Sequence, residues 1–325
     1  MRPRAFGFAA AALACVLGGG TVAACGGAEP VDDAGDVSTT APAPTEALPD
    51  TGRTYERALV FLGTDTDSAL VVPWVLGVRS GGPMVERRAR GWLLRGDVWD
   101  PFHDDRWETP PMRAPWRPLP HGALRIQVGD GGGLDGISFV DEARRLDLSL
   151  DSVRASWTGR RGEAFRFLHG SLVLAELVVP GLVVDLARAV DAAEGPSGDW
   201  IVLASGDSLQ AVVHTPLREG HDRPGAWRGW VHAAFRDIPI TDMTVEWSAV
   251  RAFEAARRDV PVGWTVRSAD RTVEGRLEAR SFHLVAGEGD GPLLPVDGLF
   301  DVVGTLEFEG VEYVVRGLLR HTQGD

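Results

Sequence analysis

The sequence predicts an all-β fold of two tandem antiparallel halves, lipocalin-like or sandwich-like, with few short helices. Three observations support this prediction: short apolar or alternating runs separated by Gly and Asp from Tyr55 onward, sparse helical periodicity, and an ordered set of matches between the two halves of the chain. Alternation with a period of two is typical of half-buried strands, and Gly and Asp are typical of the turns between them. We therefore expect hairpins to dominate the fold.

Individual segments carry this pattern clearly. In "TVEGRLEARSF", Val273, Leu277 and Ala279 alternate with charged residues, which predicts a strand with one buried face. The C-terminal run "GTLEFEGVEYVVRGLLRH" predicts two strands joined at Glu309-Gly310. Only residues 185–195 and 248–259 could form helices, and each could equally be a strand followed by a turn.

Three matches recur in the same order in both halves. The segments 55–73 and 199–216 share a layout of strand, acidic turn and strand. An Arg-Gly-Trp triplet follows each of them, at residues 90–92 and 228–230, and a Trp-Thr pair comes later, at residues 157–158 and 264–265. Ordered self-similarity of this kind indicates a duplication. We expect Trp92 and Trp230 to lie in equivalent strands, turned inward, where they seal each half.

The layout of residues 55–322, together with "FDVVGTLEFEGVEYVVRGLLRH" at the C-terminal end, resembles the tandem lipocalin-like proteins, the group that contains AttH and the carotenoid hydratases. This resemblance implies two β halves, and the usual pockets of such folds are barrel mouths and interfaces between lobes. The paired-Trp strand that usually opens that group is replaced by Tyr55-Glu56-Arg57. No catalytic residue can therefore be carried over.

The N-terminus predicts an address in the cell envelope. Residues 1–24 combine two arginines, an apolar run and small residues, which is typical of a signal peptide. Val22-Ala23-Ala24-Cys25 resembles the bacterial lipobox, so we expect Cys25 to be lipidated and to anchor the protein to a membrane, facing the periplasm or the exterior. Residues 25–53 predict a flexible tether. The first β half then covers residues 54–196, with a Pro-rich insertion near 99–122, and the second covers residues 197–325.

Composition excludes several kinds of chemistry. All 33 basic residues are Arg, and Asn is absent, so neither a Schiff-base lysine nor a catalytic Asn is available. Cys15 lies in the predicted signal peptide, which leaves Cys25 as the other cysteine. Removal of two arginines with the signal peptide changes the net charge from −13 to −15, which disfavours nucleic acid as a partner. We expect no cofactor and no bound metal.

Gly206-Asp207-Ser208-Leu209 matches the four letters that name a family of serine hydrolases. Those enzymes add an Asn and a later Asp-x-x-His pair, whereas this chain has no Asn and its only Asp-x-x-His, Asp100 to His103, precedes Ser208. The flanking runs "WIVLA" and "LQAVVH" read as two strands. We therefore interpret residues 205–208 as a hairpin turn.

The segment "VWDPFHDDRWE" gathers carboxylates around His103 and is the candidate site for chemistry. Such a group could bind a divalent ion or act as an acid and base pair, but a polar rim loop explains it as well. Trp99, Trp107 and Trp116 lie in the same insertion and are candidates for ligand contact, because indole rings line pockets as well as cores.

These observations favour a binding module for a small apolar ligand or a protein partner at the envelope surface, rather than an enzyme. One alternative is a hydratase or isomerase that uses the carboxylates and His103 beside a hydrophobic pocket. Another is an envelope scaffold. An apolar cavity would favour the first, buried carboxylates with shifted pKa values the second, and a flat exposed apolar patch the third.

Overall fold

The computed structural model describes residues 52–64, 70–129, 133–159, 163–191, 198–215 and 227–324. The predicted signal peptide, Cys25 and nearly all of the tether lie outside these residues, as does the boundary at residues 196 and 197. Within the described segments, no helix is both long enough and apolar enough to cross a membrane.

The first half is a nine-stranded antiparallel sheet. Its strands follow the order β4-β3-β2-β1-β9-β8-β7-β6-β5, so that β4 and β5 are its two edges. The strands are β1 Arg53–Gly63, β2 Leu70–Arg79, β3 Val85–Arg95, β4 Val98–Thr109, β5 Leu124–Val128, β6 Leu134–Val140, β7 Arg145–Thr158, β8 Ala164–Leu174 and β9 Leu177–Asp191.

The second half is a closed antiparallel barrel of eight strands, in which β10 pairs with both β11 and β17. The strands are β10 Trp200–Ser205, β11 Leu209–His214, β12 Trp227–Ala233, β13 Arg236–Phe253, β14 Arg258–Ser268, β15 Val273–Ala286, β16 Val296–Phe308 and β17 Val311–Gln323. The predicted all-β fold of two antiparallel halves is confirmed. The hairpin at Glu309-Gly310 joins β16 to β17, as expected.

Both segments that could have been helical form strands where the structure describes them. Residues 185–191 belong to β9, and residues 248–253 belong to β13. The helical structure in the described part of the chain is the single 3-10 turn Glu254–Ala256, which reverses the chain between β13 and β14. In both segments the ladder bonds to a neighbouring strand outweigh the helical propensity of alanine and arginine.

The prediction of an insertion near 99–122 was wrong for its first part. Residues 98–109 form β4, which pairs with β3 along its whole length, and only the segment between β4 and β5, residues 110–123, lacks a named strand. The strand ends where Pro110 and Pro111 follow, because proline cannot donate a ladder hydrogen bond.

The two Arg-Gly-Trp triplets occupy equivalent strands, β3 and β12, the third strand of each half. Trp92 pairs with Pro101 across the β3–β4 hairpin, and Trp230 pairs with Pro239 across the β12–β13 hairpin. In both halves eight residues separate the triplet from that proline. The Trp-Thr pairs are not equivalent, because Trp157 lies on β7, two strands before the last strand of its half, whereas Trp264 lies on β14, three strands before the last.

Three large clusters of buried apolar side chains build most of the core, and a small fourth cluster contains Ala256, Val260 and Val296. One fills the concave side of the first sheet and another fills the second barrel. The third cluster lies between the halves and contains Trp92 from the first half together with Trp200 and Trp230 from the second. The expectation that Trp92 and Trp230 turn inward was therefore wrong. Both are buried, with 6% and 0% exposure, but they face the other half.

The glycine of each triplet faces the interior of its own half. A Cβ at Gly91 would lie 2.6 Å from the Phe102 ring, and a Cβ at Gly229 would lie 2.6 Å from the Met243 sulfur. Successive residues of a strand point to opposite faces. The glycine of each triplet therefore leaves room for a side chain inside its own half, while the next residue, the tryptophan, places its ring between the halves.

Candidate functional site

Strand β4 carries two of the four predicted ligand-contact residues on one face. A bulge beside Gly91 and Trp92 leaves Phe102 as the extra residue on β4. Beyond it, His103, Asp105 and Trp107 are half-buried, while the residues between them are exposed. The bulge shifts the alternation by one residue, and so it directs the imidazole and the indole toward the concave side of the sheet.

Two aromatic rings from other strands lie beside Phe102 and His103 on this face of β4. Phe139 of β6 lies 5.0 Å from Phe102 and 5.3 Å from His103, measured between ring centroids. Trp74 of β2 lies 6.2 Å from Phe102, nearly edge-on. These separations fall in the range of favourable aromatic pairs. We call these four residues, Trp74, Phe102, His103 and Phe139, together with Trp107 further along the same face of β4, the β4 aromatic cluster.

Three ring nitrogens of the β4 aromatic cluster are buried and have no hydrogen-bond partner among the described residues: Trp74 Nε1, His103 Nε2 and Trp107 Nε1. An unpaired buried polar atom costs about 1 to 3 kcal/mol. Burial lowers the pKa of His103, although the nearby carboxylates of Asp105 and Asp104 raise it in part. The imidazole is therefore neutral near pH 7 and carries one free nitrogen.

The segment after β4 packs against the same strand. The His121 ring stacks on Trp107 with 4.4 Å between centroids and 3° between planes, and His121 Nε2 lies 3.4 Å from Asp105 Oδ2. Arg87 is 3% exposed and donates to Thr109 Oγ1 at 3.0 Å, to the Arg117 carbonyl at 3.0 Å and to the Pro115 carbonyl at 3.1 Å. Arg87 thus holds residues 109–117 against the edge of the sheet.

The other two predicted contact residues lie elsewhere. Trp99 packs against the cluster between the halves, and its Nε1 donates to Ser281 Oγ of β15 at 3.1 Å. Trp116 lies in the segment after β4, with its ring 5.8 Å from Tyr55. The structure therefore places His103 and Trp107 on one face of β4, four residues apart, and turns Trp99 toward the other half.

Ser208 lies in a tight turn. Gly206, Asp207 and Ser208 join β10 to β11, Gly206 has a φ of +50°, and the Ser208 amide donates to the Ser205 carbonyl at 3.0 Å. Ser208 is exposed, and Asp207 pairs with Arg154 of the first half. The hairpin interpretation is confirmed, and the motif has an ion-pairing role between the halves.

A groove of about 730 Å³ crosses the ends of β1 to β4. Its walls include Arg79, Glu86, Arg106 and Glu108, which are exposed, and Trp107 is also among its lining residues. Guanidinium and carboxylate groups stand along this groove, and Val78 and Trp107 add apolar surface to its lining.

A polar layer between the halves escaped the sequence analysis. Glu56 of β1 binds Arg188 of β9 and Arg320 of β17, each at 2.5 Å. Arg320 also donates to Asp297, which Arg90 of β3 binds at 2.5 Å. Burial alone would raise the pKa of Asp297, but Arg320 and Arg90 lower it overall. Charged residues inside apolar strand runs, such as Arg320 in "VVRGLLRH", could have indicated these buried ion pairs, because a buried charge needs a partner.

A second carboxylate on β16 is buried beside this layer. Asp301 is fully buried, and burial raises its pKa against the opposing effects of Arg280 and Arg316. Its Oδ2 accepts from Arg280 Nε at 2.8 Å, and Arg316 Nε lies 3.7 Å from its Oδ1. Across the described ranges, no group of three or more His, Cys, Asp or Glu side chains is arranged to hold a metal ion.

Comparison with known proteins supports the fold. No model of a known protein family matches the chain, and no curated protein matches it either. An AttH candidate from Nitrosomonas europaea matches with a TM-score of 0.59 at 13% identity, over 86% of this chain and 94% of its own. Kievitone hydratase from Nectria haematococca matches with a TM-score of 0.53 at 12% identity, over 87% of this chain and 94% of its own. The predicted resemblance in fold to the AttH and hydratase group is confirmed.

Proposed function

We propose that the protein is a lipid-anchored binding module of the cell envelope, and that its site for a small, largely apolar ligand is the β4 aromatic cluster. The observation that supports this proposal is that three buried ring nitrogens of this cluster, Trp74 Nε1, His103 Nε2 and Trp107 Nε1, have no hydrogen-bond partner among the described residues. Buried polar atoms are paired in most structures, so unpaired ones at one place need an explanation.

The chemistry of these nitrogens indicates the kind of ligand. The indole N–H groups of Trp74 and Trp107 can only donate, and so they would pair with an oxygen acceptor. The rings of Phe102 and Phe139 would contact the apolar remainder of the molecule. Hence the ligand that fits best is an apolar molecule bearing a carbonyl or ether oxygen. It would enter past the segment that Arg87 holds at the β4 edge.

Native mass spectrometry of the purified full chain, after incubation with an envelope lipid extract, tests this binding. Trp107→Phe keeps a ring and removes the N–H group, so we expect the ligand-bound fraction to fall about three- to tenfold, the worth of one hydrogen bond. Trp157→Phe is the matched control, since Trp157 stacks on Phe165 away from the cluster. A wild-type chain without a bound molecule, or equal loss in both variants, would contradict the proposal.

A hydratase is the second candidate, and His103 favours it. A neutral imidazole beside a carboxylate can transfer a proton to and from an unsaturated ligand. Once a ligand is captured, incubation in ¹⁸O-labelled water would reveal addition of water by a mass increase. We expect His103→Gln to abolish that increase while binding persists, if catalysis occurs. A ligand that never gains labelled water leaves binding as the function.

Anchoring at the envelope rests on Cys25 and is tested separately. Metabolic labelling with a clickable fatty acid should mark the wild-type protein and leave Cys25→Ser unlabelled. Equal labelling of both proteins would refute the anchor without affecting the proposed site.

A further inference from the structure

One end of the second barrel holds an Asp–His pair that the proposed function does not use. Asp199, the residue before β10, accepts a hydrogen bond from His321 Nδ1 of β17 through its Oδ2. Its Oδ1 accepts from the Thr322 amide at 2.8 Å and from Thr322 Oγ1 at 3.1 Å. Three hydrogen bonds therefore hold this carboxylate in one orientation.

The carboxylate determines which nitrogen of His321 carries the proton. An ionised carboxylate only accepts, so Nδ1 must donate, and in the neutral ring Nε2 is then an acceptor. His321 is 6% exposed, and its Nε2 has no hydrogen-bond partner in the part of the chain that the structure describes. This end of the barrel thus presents one buried, oriented acceptor nitrogen.

Strand β13 extends past its pairing with β12. Its pairing with β12 ends at Met243 and Trp227, so residues 244–253 pair with β14 and with no other described strand. Trp247, on this stretch, is 48% exposed, and its ring lies 5.5 Å from the His321 ring at 89°. A half-exposed indole therefore covers the buried imidazole.

We propose that Asp199, His321 and Trp247 form a second site, which binds a small apolar molecule through a hydroxyl group. The hydroxyl donates to His321 Nε2, Asp199 holds the imidazole in the accepting tautomer, and the Trp247 ring packs on the apolar part of the molecule. The two halves thus offer opposite chemistry, since the indole groups of the first half donate. If Asp199 only linked β10 to β17, that role would not explain why the buried His321 Nε2 has no hydrogen-bond partner among the described residues.

The test uses 4-fluorophenol and 4-fluoroanisole, which share a ring and differ in the hydroxyl donor. Broadening of the ¹⁹F NMR signal by the purified full chain measures the affinity for each probe. We expect the wild type to bind 4-fluorophenol about three- to tenfold more tightly, as one net hydrogen bond predicts.

Asp199→Asn reverses the tautomer without removing a ring. The Asn oxygen can still accept from Thr322, and its amide then donates to Nδ1, which places the proton on Nε2. We expect the preference for 4-fluorophenol to disappear or to invert in this variant, while circular dichroism shows an unchanged fold.

His232→Gln is the matched control, because His232 Nδ1 also lies 2.9 Å from a carboxylate, that of Asp237, on another strand pair. This variant should keep the wild-type preference. Equal affinity of the wild type for both probes, absence of binding, or a preference that survives Asp199→Asn would overturn the second site. Because 4-fluoroanisole also fits the β4 aromatic cluster through its ether oxygen, the second site is measured by the change that Asp199→Asn causes, which leaves that cluster untouched.

Discussion

Trp230 of the second half stacks on Phe167 of the first, with 4.9 Å between ring centroids and 19° between ring planes. Trp157 and Phe165 of the first half also lie within 6.4 Å of the Trp230 ring. One indole on the outside of the barrel thus contacts three aromatic rings of the other half. Association of the halves therefore depends on apolar packing at this point.

Trp230→Ala should lower the free energy of unfolding by about 3 to 5 kcal/mol, because a large side chain is removed from a close-packed cluster. Trp92→Ala, the equivalent change in the first half, should cost a similar amount. Trp247→Ala is the control, since that indole is 48% exposed and should cost much less. Denaturant unfolding followed by circular dichroism measures all three. Equal losses for Trp247 and Trp230 would contradict the assignment of Trp230 to the interface core.

Glu56→Gln should destabilise the fold by about 3 to 5 kcal/mol, because it leaves Arg188 and Arg320 buried without their shared carboxylate. Glu309→Gln, which breaks the exposed pair with Arg236, should cost less than about 1 kcal/mol. Both substitutions replace Glu with Gln, so the difference between their losses of unfolding free energy reports the effect of burial. The comparison needs unfolding curves at one pH, and similar costs would show that the polar layer is solvated.

His214 makes stability depend on pH. Burial, with the charges of Arg188 and Arg228, lowers its pKa to about 3, despite a hydrogen bond with the Thr215 carbonyl. Between about pH 6.5 and pH 3, the His214 imidazole is therefore protonated in the unfolded chain but neutral in the folded chain. The contribution of His214 to the free energy of unfolding is complete above about pH 6.5 and is lost as the pH falls toward 3. Unfolding curves between pH 4 and pH 8 should show a shallower decline for His214→Gln than for the wild type. Parallel declines would assign the acid sensitivity to other groups.

Ser208→Ala should change the free energy of unfolding by no more than about 0.5 kcal/mol, because the side chain is exposed in a turn. Ligand binding should also remain unchanged. Hydrolysis of an ester probe by the wild type, lost in Ser208→Ala alone, would restore the hydrolase interpretation.

Several elements of the candidate site were predictable and others were not. His103 and Trp107 were identified from the grouping of carboxylates, an imidazole and indoles, and the structure places them on one face. Their position on a strand was missed, because the Pro and charge content of residues 98–109 is typical of a loop. Trp99 was grouped with them by nearness in sequence. The bulge at Phe102 turns Trp99 toward the other half, and no local pattern indicates a bulge.

The sequence by itself determined the all-β class, the hairpins at Ser208 and Glu309, and the equivalence of the two triplets. These features depend on contacts between residues close together in the chain, and alternation and turn chemistry report such contacts directly. It also held a stronger repeat signal, the proline that follows each triplet after eight residues.

Only the tertiary structure decided which face of each strand meets the other half. Strand β12 is buried on both faces from Gly229 to Ala233, so no polar face marks its direction, and Trp230 reads as an interior residue although it lies between the halves. Trp92 shares its face of β3 with Arg88 and Arg90, and only the packing of the halves shows that this face is the interface. The same reason hid the pairing of Glu56 with Arg320 and of Asp199 with His321. Each pair joins residues more than 120 positions apart, and only the closure of the barrel and its packing on the first sheet bring them together.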